Sequence, residues 1–270
     1  MRSEADLLDQ LVNVVLSSRK YAQICPDFVR SLALKEIRHQ RSYKEALKAT
    51  RSKLHQVAAA YLLSQPDYAL WLVRLQQAHT SPDPAALRVL CRDLMSSHAS
   101  TRERLPILDT FYPTVLAGLP PIHSVLDLAC GLNPLSLPWM GLPPEVEYYA
   151  VDIYQDMLTF LGQFMRLLGI QGHPISADVL EFSLEREVDL ALVLKAIPCL
   201  EQLDRSAGRR LLAALPAKHL LVSFPVYSLG GRSVGMLDTY ADHMQELVAG
   251  QPWSVVRFDF PTELVFLLSR

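Results

Sequence analysis

The fold is decided by one stretch, His123-Ser124-Val125-Leu126-Asp127-Leu128-Ala129-Cys130-Gly131. A short apolar run that follows prolines and ends at a glycine predicts a buried β-strand. Further strands are predicted over residues 147–153, 174–177, 188–194 and 219–224, with helices over 155–168, 202–215 and 233–249. Strands that alternate with helices are typical of a doubly wound, mostly parallel sheet of the α/β class. The last two predicted strands, 254–260 and 262–269, are joined at Pro261, and so short a link predicts an antiparallel hairpin.

The residues before this stretch carry helical patterns only. Apolar residues at helical spacing predict helices over 7–15, after Pro26, and over 43–63, 67–77 and 84–97. We therefore predict an all-helical N-terminal extension over residues 1–105 and an α/β domain over residues 106–270. A chain of 270 residues with 50% hydrophobic residues can bury a core of this size, which excludes a disordered protein.

The net charge of −2 conceals an uneven distribution. Residues 1–105 hold 16 Lys or Arg and 10 Asp or Glu, a net charge of +6, whereas residues 106–270 hold 10 and 18, a net charge of −8. In the third predicted helix, Lys44, Lys48, Arg51 and His55 follow each other at helical spacing and share one face. Such asymmetry is typical of a polyanion-binding extension, and the alternative is an ordinary solvated helix surface.

Several classes of protein are disfavoured by what the sequence lacks. The four cysteines lie far apart and no histidine stands at metal-ligand spacing, so we expect neither a disulfide framework nor a metal site. The N-terminus lacks the features of a secretory signal, and no run approaches 18 apolar residues. We therefore expect a cytoplasmic protein with no membrane partner.

The residues at the strand ends suggest which cofactor the sheet binds. The loop after the first strand has one glycine and is not G-x-G-x-x-G, which disfavours a nicotinamide cofactor, and no nucleotide triphosphatase motif is present. Gly131 permits close backbone approach, Asp152 ends the second strand, and Asp178 follows the third. In a parallel sheet these ends meet at one edge, where carboxylates can accept ribose and adenine donors. This order favours S-adenosylmethionine, although each aspartate alone is more often a turn or capping residue.

Longer motifs carry a resemblance to a known family. They are His98-Ala99-Ser100-Thr101-Arg102-Glu103-Arg104-Leu105, Phe111-Tyr112, the run from Ser124 to Leu135, Pro138-Trp139-Met140, Ser223-Phe224-Pro225, Ser228-Leu229-Gly230-Gly231-Arg232, Gly235-Met236 and Glu263-Leu264. The chain resembles the aminoglycoside-resistance 16S rRNA (guanine(1405)-N(7))-methyltransferases of the Arm/Rmt type and their antibiotic-producer relatives. The resemblance covers essentially the whole chain. It implies a Rossmann-like S-adenosylmethionine-dependent methyltransferase sheet with an antiparallel last strand and an all-helical N-terminal extension.

The resemblance also implies cofactor-binding residues. His98, Ala99 and Ser100 match the family's methionine-binding segment, and Arg104 is expected to hold the cofactor carboxylate, a task that suits a guanidinium. The other matching positions are Ala129 and Gly131 for methionine, Asp152 for ribose, Asp178 and Val179 for adenine, Leu194 and Gln202 near the adenosyl group, and Tyr61 from the helical extension. Tyr61 is equally consistent with a core aromatic, and Gln202 with a surface residue. Ser100 and Glu103 also predict a capping box.

For the RNA, the resemblance implies docking of the 30S subunit, through its 16S rRNA, on the helical extension. Lys20, Arg51, Lys53 and His55 match candidate phosphate contacts, and Arg232 and Met236 match residues around the flipped target nucleotide. Tyr227 and Ser233-Val234 depart from the family pattern, where basic residues are common. Guanine N7 carries a lone pair and no proton, so we expect no catalytic acid or base.

The implied function is resistance to kanamycin- and gentamicin-type aminoglycosides by a monomeric enzyme. Two alternatives remain at this stage. One is a methyltransferase for another rRNA site or a small molecule, and the other is a non-catalytic RNA-binding protein.

Overall fold

The computed structural model describes residues 3–59, 66–226 and 236–270. Its centre is a seven-stranded sheet in the order β3-β2-β1-β4-β5-β7-β6. The strands are β1 (Ser124–Leu128), β2 (Glu147–Asp152), β3 (Gln171–Ser176), β4 (Val188–Leu194), β5 (Ala217–Pro225), β6 (Ser254–Asp259) and β7 (Glu263–Ser269). Pairing is parallel from β3 through β5 and antiparallel between β5 and β7 and between β7 and β6. The predicted α/β methyltransferase-type sheet with its antiparallel end is confirmed.

Helices cover both faces of this sheet and form the extension. They are α1 (Glu4–Leu16), α2 (Pro26–His39), α3 (Tyr43–Leu54), α4 (Tyr68–His79), α5 (Ala86–Met95), α6 (Ala99–Arg104), α7 (Leu108–Leu116), α8 (Leu137–Met140), α9 (Gln155–Leu167), α10 (Ile197–Glu201), α11 (Ala207–Ala214) and α12 (Met236–Val248). All five β1 residues are buried, as expected for a parallel strand covered on both faces. No described helix is long and apolar enough to cross a membrane.

Packing divides the helical residues into two groups. Helices α1 to α3 enclose a core of their own, in which Leu11, Val29 and Leu54 are fully buried. Helices α4 and α5 belong instead to the core on one face of the sheet, where Tyr68 stacks on Phe160 of α9 with ring centroids 5.1 Å apart. The domain boundary at Leu105 stays a prediction, and the first independent core ends earlier in the chain.

The extension is joined to the sheet by backbone hydrogen bonds. The Cys25 N–H donates to the Ile153 carbonyl oxygen at 2.7 Å, and the Gln155 N–H donates to the Gln23 carbonyl oxygen at 2.8 Å. Ile24 and Tyr154 form an isolated antiparallel bridge between these bonds. The junction therefore starts one residue after Asp152, at the carboxyl end of β2.

Three local predictions are wrong. The predicted helix over 43–63 leaves α-helical geometry at Leu54 and continues as a π-helical turn over His55–Ala59. The predicted helix over 202–215 begins later, as α11 at Ala207, because Asp204 accepts from the Ser206 N–H and hydroxyl and forms a turn before it. The capping box is absent because α6 begins at Ala99, so Ser100 lies inside the helix rather than at its N-cap.

Candidate functional site

A cavity lies at the carboxyl ends of β1, β2 and β4, where a parallel sheet reverses its strand order. The cavity has a volume of about 110 Å³. The sequence-predicted residues that line it are His98, Ser100, Ala129, Gly131, Asp152, Asp178, Val179 and Leu194. The extension supplies part of the wall through Phe28 and Val57, which sequence reasoning missed.

A side chain at Gly131 would require His98 to shift. The φ of Gly131 is +50°, in the left-handed region, and a Cβ added there would lie 2.9 Å from Cε1 of His98. The imidazole thus packs against the bare backbone of the loop after β1. Burial, together with the positive charge of Lys195, lowers the pKa of His98 to about 4, so its ring is neutral at neutral pH.

Asp152 connects the ends of β1 and β2. Its Oδ2 accepts from the Gly131 N–H at 2.9 Å, and its Oδ1 accepts from the N–H groups of Ile153 at 2.7 Å and Tyr154 at 3.2 Å. Burial raises the pKa of this carboxyl, and the three backbone donors oppose that rise. The carboxylate is therefore fixed in orientation beside the glycine before any ligand arrives.

Asp178, Val179 and Leu194 form the adjoining part of the cavity. The Asp178 Oδ1 accepts from the Leu180 N–H at 3.0 Å, which holds the carboxylate in a turn after β3. Burial raises the pKa of Asp178. A polar group next to apolar Val179 and Leu194 suits a flat heteroaromatic ring that carries hydrogen-bond donors at its edge.

Arg104 lies behind the cavity and is not among its lining residues. Its guanidinium is fully buried and forms a fork on Glu263, with Nε to Oε2 at 3.0 Å and Nη2 to Oε1 at 2.6 Å. Nη1 donates to Oδ1 of Asn133 at 2.7 Å, and the guanidinium lies over the Phe111 ring. Its role as the carboxylate clamp stays a prediction, since the contacts that Arg104 makes are structural ones within the protein.

Lys195 is a lining residue that sequence reasoning missed. It directly follows β4 and has a φ of +58°, which is rare outside glycine and typical of functional sites. Its Nζ donates to the Ser100 carbonyl oxygen and to Oε2 of Glu103 at 3.1 Å, and lies 3.6 Å from Oε2 of Glu263. The only sequence signal was a lysine immediately after a strand that is apolar except for Asp189.

The candidate phosphate contacts lie together on the extension but differ in their partners. Lys20 and His55 are neighbours, with Nζ 3.3 Å from Nδ1, and Arg51 donates to the Val14 carbonyl oxygen at 3.4 Å. Lys53 forms an ion pair at 2.6 Å with Glu36, whose side chain is 3% exposed. Burial raises the pKa of Glu36, but hydrogen bonding from Lys53 outweighs this effect and the pKa is lowered overall. The structure therefore gives Lys53 a role in joining α2 and α3.

The remaining predicted residues are not brought to the cavity. Gln202 is exposed and Ala99 is buried beside the site, and neither lines it. Tyr61 and Arg232 lie outside the described residues, as do Tyr227 and Ser233-Val234. Met236 is the first residue of α12, and only its backbone is described. Within the described ranges, no cluster of His, Cys, Asp or Glu could hold a metal ion.

The geometry fits S-adenosylmethionine. The bare backbone at Gly131 and the left-handed Ala129, with a φ of 50°, leave room for the methionine part. The oriented Asp152 carboxylate suits two vicinal hydroxyls, and the Asp178 region suits adenine. No phosphate-binding glycine motif is present in the loop after β1, so a dinucleotide fits poorly.

Comparison with known proteins agrees with this geometry. The family described as "Ribosomal RNA methyltransferase (FmrO)" matches residues 17–267. A 16S rRNA (guanine(1405)-N(7))-methyltransferase of Micromonospora rosea is 35% identical over 267 residues, covering 98% of this chain and 97% of the relative. A protein of the same name from Frankia casuarinae (strain DSM 45818 / CECT 9043 / HFP020203 / CcI3) is 36% identical over 271 residues, covering 99% and 95%.

Solved structures extend the comparison to the fold. The 16S rRNA methyltransferase RmtF in complex with S-adenosyl-L-homocysteine has a TM-score of 0.83 at 32% identity, covering 100% of this chain and 99% of that one. The 16S rRNA methylase RmtB has a TM-score of 0.78 at 29% identity, covering 97% and 98%. With its fold, its cavity and its full-length relatives in agreement, the chain belongs to the FmrO family of ribosomal RNA methyltransferases.

Proposed function

We propose that this protein transfers a methyl group from S-adenosylmethionine to N7 of guanine 1405 in 16S rRNA, the reaction named for its relatives. The proposed substrate is the assembled 30S subunit, and the expected consequence is resistance to kanamycin- and gentamicin-type aminoglycosides. The enzyme would act as a monomer in the cytoplasm, where the subunit is found.

One observation carries the proposal, namely the hydrogen bond that joins the Gly131 N–H to the Asp152 carboxylate at 2.9 Å. It joins a glycine whose missing side chain leaves room for His98 to an acceptor already oriented for ribose hydroxyls. Such preorganisation lowers the entropic cost of binding the cofactor. Asp178 and Val179 would then hold adenine, and Ala129 and Gly131 would border the methionine part.

Methyl transfer to guanine N7 requires no acid or base from the side chains. The cofactor supplies an electrophilic methyl group on a sulfonium, and guanine N7 supplies an in-plane lone pair. Because no proton has to leave N7, the residues of the site need only orient the base and exclude water. The neutral His98 ring and the apolar surfaces of Val179 and Leu194 suit the exclusion of water.

The basic face of the extension suits the RNA backbone. Lys20, Arg51 and His55 lie on one surface next to the junction with β2. Cations at such a surface release counterions from phosphates and position the RNA without reading its sequence. A target base within helical RNA has to be flipped into the site, at a cost of a few kcal/mol.

The direct test is methylation of purified 30S subunits. Subunits treated with protein and S-adenosylmethionine are reduced and cleaved with aniline, which breaks the chain at 7-methylguanosine, and primer extension then locates the break. We expect a stop at guanine 1405 with the wild-type protein and none with Asp152→Ala. Intact cofactor binding with no stop at that position would contradict the proposal, and a stop elsewhere would identify a different rRNA site.

A further inference from the structure

Lys195 lines the cavity and is not among the residues expected to hold the cofactor. Leu194, one residue earlier, borders the region suited to adenine, whereas the Lys195 side chain extends towards Ser100 and Glu103. Only 5% of that side chain is exposed, and it provides the one ammonium group among the described lining residues. A strained backbone conformation at this position is maintained by the Lys195 N–H, which donates to the Ser223 carbonyl oxygen at 3.0 Å.

The target base offers an acceptor for such a donor. Guanine presents two acceptors, N7 and O6, side by side on its Hoogsteen edge, and lysine is a common donor to that edge. When N7 is aligned with the methyl group, O6 is the neighbouring atom. Adenine has an amino group in its place, which would face the ammonium as a second donor.

The charge around Lys195 is balanced. Arg104 and Lys195 contribute two positive charges, and Glu103 and Glu263 contribute two negative ones, all within one connected network. Methylation turns the guanine ring into a cation, so an isolated ammonium beside it would oppose the reaction. Here a donor is supplied without a net positive charge next to N7.

The geometry points to Lys195 as a specificity-determining residue, whose ammonium donates a hydrogen bond to O6 of the guanine that is methylated at N7. This inference rests on the proposed function and adds to it the group that recognises the base. It also assigns binding of the cofactor and recognition of the base to adjacent residues. Leu194, the last residue of β4, borders the adenine region, and Lys195 directly after it donates to the base.

The test changes the acceptor on the base as well as the donor. 30S subunits are reconstituted with 16S rRNA that carries guanosine, inosine or 2-aminopurine riboside at the target nucleotide. All three keep N7, inosine keeps O6, and 2-aminopurine lacks O6. Single-turnover methylation at saturating S-adenosylmethionine is measured with the wild-type protein, with Lys195→Met, and with Lys218→Met as a matched control. Lys218 is an exposed lysine paired with Asp189 near the amino end of β5.

For the wild-type protein and Lys218→Met, the methylation rate should be roughly ten- to a hundredfold lower on 2-aminopurine subunits than on guanosine subunits. This is the range expected for a lost hydrogen bond to a charged group. On inosine subunits both proteins should methylate at nearly the rate seen with guanosine. Lys195→Met should be slow on guanosine and show no further loss on 2-aminopurine, while its affinity for S-adenosylhomocysteine, measured by calorimetry, stays within about threefold of wild type.

Two results would overturn the inference. One is a wild-type protein that methylates guanosine and 2-aminopurine subunits equally well, a comparison that does not depend on the folding of any variant. The other is a Lys195→Met protein that keeps the wild-type ratio or loses cofactor affinity in parallel with rate. No methylation of any subunit by the wild-type protein would instead contradict the proposed function on which the inference depends.

Discussion

The buried ion pair between Arg104 and Glu263 allows a quantitative prediction for Glu263→Gln. Both side chains are at most 1% exposed and share two hydrogen bonds, at 2.6 and 3.0 Å. A glutamine fills the same volume but leaves the guanidinium without a counter-charge, and removing one partner of a buried pair costs about 3–5 kcal/mol. At roughly 2–4 °C per kcal/mol for a chain of this order of size, the expected fall in melting temperature is about 6–20 °C.

The measurement is urea unfolding at pH 7, supported by thermal melts. Glu4→Gln is the matched control, because Glu4 pairs with Arg38 at 2.9 Å with both side chains more than half exposed. An exposed pair contributes about 0–1 kcal/mol, so the control should change little. The control should lose less than about 1 kcal/mol of unfolding free energy. If Glu263→Gln lost equally little, the Arg104 guanidinium would not depend on this carboxylate, and our account of the network would be wrong.

Three further predictions concern the cavity, the core and the docking surface. Gly131→Ala should weaken S-adenosylhomocysteine binding at least about tenfold by calorimetry, because the new Cβ meets His98. Gly169 also has a left-handed φ but has open space around it, so Gly169→Ala should leave the affinity unchanged. Equal affinity for both variants would refute the steric argument. Burial raises the pKa of Asp127 to about 6, so the folded protein retains a proton that the unfolded chain loses, and stability falls as pH rises through about 4 to 6. Relative to Asp127→Asn, the wild-type protein should therefore gain about 2 kcal/mol in unfolding free energy from pH 7 to pH 4, and a difference that is constant with pH would contradict this. Arg51→Glu should weaken 30S binding and reduce its salt dependence while cofactor affinity is unchanged, and equal loss of both would contradict separate surfaces for the two ligands.

The sequence allowed the sheet and the centre of the site to be predicted because both depend on local patterns. Continuous apolar runs are recognisable as buried strands, and the carboxyl ends of parallel strands meet at one edge. That reasoning alone placed Gly131 beside Asp152, and the structure joins them by a hydrogen bond. Strand order together with the family resemblance predicted eight of the residues that line the cavity, but not Phe28, Val57 or Lys195.

What could not be predicted depends on contacts between distant parts of the chain. Arg104 and Glu263 are separated by 159 residues, and nothing local distinguishes a buried ion pair from a residue that holds a ligand. Lys195 likewise gains its position from Ser100, Glu103 and Glu263, which reach it from other elements. The predicted capping box is absent because α6 begins at Ala99, and the Glu103 side chain binds Lys195 instead.

The backbone junction between residues 23–25 and 153–155 has a consequence for how this protein can change over evolutionary time. Phe28 and Val57 of the extension line the same cavity as Asp152. A deletion that removed the extension would therefore open this cavity as well as removing the surface proposed to dock the RNA. The two halves have to be inherited together, and a shortened gene would lose the whole activity in a single step rather than retain a slower, less selective enzyme.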